Sequence, residues 1–133
     1  MSYALPALVT CLVLILMIVL AAKVGMARQK HKIFAPAISG NADFERVFRV
    51  HMNTLENLVV FLPAMWMFAY FVSPVWAAGL GAVWIIGRII YALSYYRDVN
   101  KRGPGFLTNF LVQLVLIVGS LYVIVSNLLQ ASM

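Results

Sequence analysis

Charge is missing from long stretches of this chain, and that constrains its fold more than any other feature. Tyr3–Ala22 is a run of twenty residues with no charged side chain. As a helix rising 1.5 Å per residue, it matches a hydrocarbon core of roughly 30 Å. The chain is 64% hydrophobic and 11% charged, where a soluble domain carries about a quarter of its residues charged. These values point to an all-α membrane protein, one domain over residues 1–133, built as a bundle of four transmembrane helices. The spans are expected at about 3–27, 44–72, 75–96 and 106–129.

The breakers agree with that layout. Pro6 falls in the first turn of span one, where its missing N–H costs little. Ala35-Pro36 and Ser39-Gly40-Asn41 interrupt the first connection, and Asn41 or Asp43 is placed to cap span two. Pro63 is expected to kink that span. Ser73-Pro74 makes a tight uncharged turn, and Gly103-Pro104-Gly105 a break before span four. Ala77, Ala78, Gly81 and Ala82 give span three a small-residue face for close helix packing.

All ten basic and four acidic residues lie on the side of connections one and three. A net charge of +6 can signal nucleic acid, but here the cations cluster at membrane junctions, so no nucleic-acid partner is expected. The positive-inside rule puts these connections in the cytoplasm and both termini on the other side. The membrane would be a bacterial inner membrane or the endoplasmic reticulum. No basic residue precedes the first run, so a cleaved signal peptide is not expected. The single cysteine, Cys11, reads as a small buried hydrophobe.

Polar chemistry concentrates in FERVFRVHMNTLEN, residues 44–57. At about 100° per residue, Arg46, Arg49, Asn53 and Glu56 share one stripe, while His51 points roughly 200° from Arg49. On span three, Arg88, Tyr91 and Tyr95 share a face at i, i+3 and i+7, extended by Trp84. Ionisable groups at a membrane edge are functional candidates, since leaving them in lipid is expensive. The two stripes suit a small, net-negative ligand with an amine for Glu56, and a short acidic peptide and a nucleotide both qualify. The alternative is an Arg49–Glu56 ion pair buried within the bundle, with the tyrosines in the interfacial belt. His31 and His51 lack metal-ligand spacing, so no metal is expected.

These residues resemble the MAPEG superfamily, membrane-associated proteins in eicosanoid and glutathione metabolism. The family pattern E-R-x-x-R-x-[QH]-x-N-x-x-E matches Glu45, Arg46, Arg49, His51, Asn53 and Glu56. Its R-x-x-Y-x-x-x-Y and downstream arginine match Arg88, Tyr91, Tyr95 and Arg102. The likeness covers essentially the whole chain and is strongest to the microsomal glutathione transferase type-two and type-three branch. It implies a homotrimer in the bilayer, with glutathione as co-substrate bound between subunits. Arg49, Asn53, Glu56, Tyr91 and Tyr95 would hold the tripeptide, with Arg28 and His51 reaching it from the neighbouring subunit. Arg102 would hold the thiolate for attack on a lipophilic electrophile or lipid hydroperoxide.

Departures narrow the expectation. The leukotriene-synthase-like branch has a second arginine where Gln29 stands and a tyrosine where Asn57 stands. The prostaglandin-synthase-like branch has an aspartate at Thr54 and a serine at Gly103, so prostaglandin isomerisation is not expected. Two other readings remain: a non-catalytic lipid-binding scaffold of the same superfamily, and a small four-span cation exporter. The exporter would need an acidic residue deep in a span, and span one has none.

Overall fold

A computed structural model describes residues 3–133. Four helices follow one another: α1 Ala4–His31, α2 Ala42–Phe71, α3 Pro74–Arg97 and α4 Gly103–Ala131, with a 3-10 turn at Val99–Lys101 before α4. All four are long and apolar enough to cross a membrane.

The helix ends follow local chemistry. Asn41, in an extended conformation, caps α2 by accepting from the amides of Asp43 and Phe44. Ser73 caps α3 in the same way, with Pro74 as its first residue. The helix α1 runs past its apolar stretch to His31, so Arg28 and Lys30 lie on the helix and the connection shortens to residues 32–41. Lysine, arginine and glutamine are good helix formers, and cations at a helix C-terminus interact favourably with its dipole. The Gly103-Pro104-Gly105 segment does not separate elements. It forms the first turn of α4, where proline is tolerated.

The core runs along the bundle axis. Val9 and Val13 of α1 meet Phe61 and Met65 of α2, Trp84 of α3 and Leu116 of α4. Trp84 stacks on Phe61 with ring centroids 4.1 Å apart and an interplanar angle of 6°. Its indole N–H donates to Gln113 Oε1 at 3.0 Å, so its one polar atom is satisfied. Lipid tails are as apolar as leucine, so close contact holds such helices together. A Cβ on Gly105 would lie 2.5 Å from the Tyr91 amide nitrogen, so α4 meets α3 at a distance only glycine permits.

Two small residues depart from expectation. Ala77, Ala78 and Gly81 are buried, whereas Ala82 is exposed. Cys11 is also exposed on the outer surface of α1. In a membrane bundle an apolar side chain has no need of a protein interior, because lipid solvates it equally well. Tyr70 and Trp76 are 70% and 71% exposed at the uncharged end, where interfacial aromatic belts form.

Candidate functional site

The helix α2 is 30 residues long, about 45 Å, so its first turns extend beyond a hydrocarbon core of roughly 30 Å. That overhang carries the polar stripe. The Arg49 guanidinium lies 3.0 Å from Glu56 Oε1, and both side chains are about half exposed, at 50% and 56%. The ion pair therefore exists, but on the outer face of the bundle, where such a pair contributes at most about 1 kcal/mol. Arg46 turns to Asp43 instead, at 2.6 Å.

Asn53 is joined to α3. Arg88 is 1% exposed, and its Nη2 donates to Asn53 Oδ1 at 2.9 Å. Asn57 adds a 2.9 Å bond from Nδ2 to the Asn53 carbonyl, which fixes the neighbouring turn. The Arg88 guanidinium carbon sits 3.9 Å from the Tyr91 ring centroid, a cation–π contact. The Tyr91 and Tyr95 rings follow at 5.5 Å, so the α3 stripe is continuous.

Tyr95, Arg49, Glu45 and Val99 share the wall of a groove of about 500 Å³ between α2, α3 and the first connection. The Val99 carbonyl also accepts from Arg102 Nη1 at 2.8 Å. Arg102 thus begins α4 at the edge of this region, and with Asn100, Gly103 and Phe106 it lines a second opening of about 450 Å³.

Arg28 and His51 lie elsewhere. Arg28 Nη1 donates to the carbonyls of Ile33 and Ala37 at 3.2 and 2.7 Å, and its guanidinium lies over the Phe44 and Phe48 rings. It pins the first connection to α2. His51 is half-buried on a different face of α2 from the Arg49 stripe. A single chain therefore brings Arg49, Asn53, Glu56, Tyr91 and Tyr95 to one side, with Arg102 at its margin. It does not bring Arg28 and His51 there. Among the described residues, no three of His, Cys, Asp and Glu gather as a metal site.

Sequence reasoning placed Arg88 on the stripe but not in the site, and the structure makes it the buried link between α2 and α3. A lone arginine within the otherwise uncharged span at 75–96 was the available signal. The Asn109 amide, which donates to the Trp84 carbonyl at 2.7 Å, carried no comparable signal.

The MAPEG family profile matches residues 6–122. The chain belongs to the MAPEG family. An uncharacterized protein of Synechocystis is 50% identical over 96% of the chain and 93% of its own length. Microsomal glutathione S-transferase 2 of Homo sapiens is 38% identical over 76% of the chain and 69% of that protein. Leukotriene C4 synthase of Cavia porcellus is 32% identical over 74% of the chain and 66% of that protein. MAPEG membership accords with the all-helical membrane architecture found here, and the matched region contains both polar stripes.

Proposed function

We propose that this MAPEG protein is a membrane-bound glutathione transferase that also reduces lipid hydroperoxides. One observation carries the reading. Arg49 and Glu56 stand paired but half exposed beside a groove walled by Tyr95, close to a buried arginine that orients Asn53. Glutathione bears two carboxylates, one ammonium and one thiol. Its carboxylate and ammonium would exchange for the two partners of the pair, which loses little when opened because water already screens it. The name of the transferase relative supports glutathione over a nucleotide.

The assembly is proposed as a homotrimer, with the charged connections in the cytoplasm. Both Arg28 bonds to the connection come from Nη1, leaving Nη2 and Nε to reach a neighbour's ligand. His51, facing away from Arg49, would act on the same neighbouring site.

The chemistry follows from the sulfur. A free thiol has a pKa near 8.5, so only a few per cent is thiolate at neutral pH. A guanidinium beside the sulfur favours the anion, and one pKa unit corresponds to about 1.4 kcal/mol. Arg102 has this role here, and arginine suits it because it stays charged when partly desolvated. In conjugation the sulfur forms a bond to an electrophilic carbon, and the leaving group departs with its electron pair. In peroxide reduction the sulfur takes the terminal oxygen and the O–O bond breaks. The alkoxide gains a proton, and a second glutathione displaces water to give the disulfide. Lipophilic substrates would arrive through the bilayer, which concentrates them.

Stopped-flow mixing with glutathione, following thiolate absorbance, tests the reading. A thiolate signal that saturates with glutathione and is lost in Arg102→Ala supports it. Retention of lipid with neither thiolate formation nor turnover of any aryl halide or hydroperoxide overturns it in favour of a scaffold.

A further inference from the structure

A third polar opening, separate from the groove beside Arg49 and the opening at Arg102, lies at the charged end of the bundle, on the opposite side of α2 from the Arg49 stripe. It has a volume of about 340 Å³ and is lined by Lys23, Met26, Lys30 and His31 of α1, Asp43 of α2 and Tyr96 of α3. It shares no lining residue with the groove beside Arg49. We infer that this opening binds the phosphate of an anionic phospholipid, held by Lys23 and Lys30 with the Tyr96 ring as its wall.

The charge balance favours an anion. Lys23 and Lys30 are seven residues apart on α1, so both face the opening. Asp43 is the one acid in the lining, and Arg46 already pairs with it at 2.6 Å. The site therefore carries two uncompensated ammonium groups. Lys23 Nζ lies 5.3 Å from the Tyr96 ring centroid, which holds one ammonium in place without consuming its charge. The Tyr96 hydroxyl is buried, so the residue presents only its ring.

Position favours a lipid over a free anion. Lys23 directly follows the twenty uncharged residues that fill the hydrocarbon core. From Lys23 to His31 the helix climbs about 12 Å, through the depth occupied by headgroups. A basic pocket between helices at that level fits a lipid phosphate, and each nearby lysine contributes about a fivefold gain in affinity. Met26, 63% exposed, offers an apolar contact on the same helix.

Native mass spectrometry of the full-length protein, delipidated and titrated with dioleoylphosphatidylglycerol, tests this. The lipid should be retained, K23Q should weaken retention about fivefold, and K23Q/K30Q about twenty-five-fold. K32Q/K101Q removes the same net charge from outside the opening and should retain the lipid normally. Circular dichroism establishes that each variant is folded. Equal weakening by both double variants would overturn the site in favour of diffuse surface charge. Equal retention of dioleoylphosphatidylcholine would overturn its preference for anions, and displacement by inorganic phosphate would reassign it to a soluble anion.

Discussion

Arg88, buried at 1% exposure in the middle of an apolar bundle, donates to Asn53 at 2.9 Å and so ties α3 to the polar stripe of α2. Removing Asn53 would leave the guanidinium without this acceptor in a place water does not reach. Loss of a buried partner to a charged group costs about 1.5–3 kcal/mol. Asn53→Ala should therefore lower the thermal unfolding midpoint in detergent as well as weaken glutathione binding. Arg88→Lys should do the same, since lysine cannot reproduce the planar contact on Tyr91.

The Arg49–Glu56 pair should separate stability from binding. At 50% and 56% exposure it contributes at most about 1 kcal/mol to folding, so Arg49→Ala and Glu56→Gln should unfold within about 5 °C of the parent. Each removes a charged contact to the proposed ligand, and glutathione affinity should fall roughly ten- to one-hundred-fold. Equilibrium dialysis beside thermal scans makes the comparison. A large stability loss with unchanged affinity would identify the pair as structural.

Much of this arrangement was legible in the sequence, and the rest was not, for identifiable reasons. The four spans follow from where charge is absent, because lipid tolerates nothing else over such lengths. The end of α1 was harder, since Arg28, Gln29 and Lys30 continue a helix as readily as they begin a connection. Helical phase grouped Arg49, Asn53 and Glu56, and separately Arg88, Tyr91 and Tyr95. Phase also set His51 on a different face from Arg49, but it gave no distances between helices, so the Arg88–Asn53 bond and the packing of Arg28 over Phe44 and Phe48 emerged only in three dimensions. Cys11 was read as buried by a rule for water-soluble proteins that lipid suspends.

Arg102 should act on thiolate formation more than on ligand capture. Its guanidinium is anchored to its own chain through the Val99 carbonyl at 2.8 Å, at the margin of the groove. Arg102→Ala should bind glutathione with affinity reduced only a few-fold yet lose the thiolate absorbance. Arg102→Lys should restore part of that absorbance, because a point charge still favours the anion. If Arg102→Ala forms thiolate at the parental level, another group activates the sulfur.

Gly103 and Gly105 lie two residues apart in the first turn of α4 and should respond to alanine in opposite ways. A Cβ at Gly103 meets nothing within 4 Å. At Gly105 it would lie 2.5 Å from the Tyr91 nitrogen, 2.6 Å from its Cα and 2.8 Å from the Gly87 carbonyl, all backbone atoms that cannot rotate away. Gly103→Ala should therefore be neutral or slightly stabilising, since alanine loses less chain entropy on entering a helix. Gly105→Ala must push α4 from α3, at a cost of about 1–3 kcal/mol. Tyr91 sits at the contact, so the displacement should also weaken glutathione binding. Thermal scans and binding isotherms of the two variants decide the matter, and equal behaviour would show that α3 and α4 do not meet at Gly105.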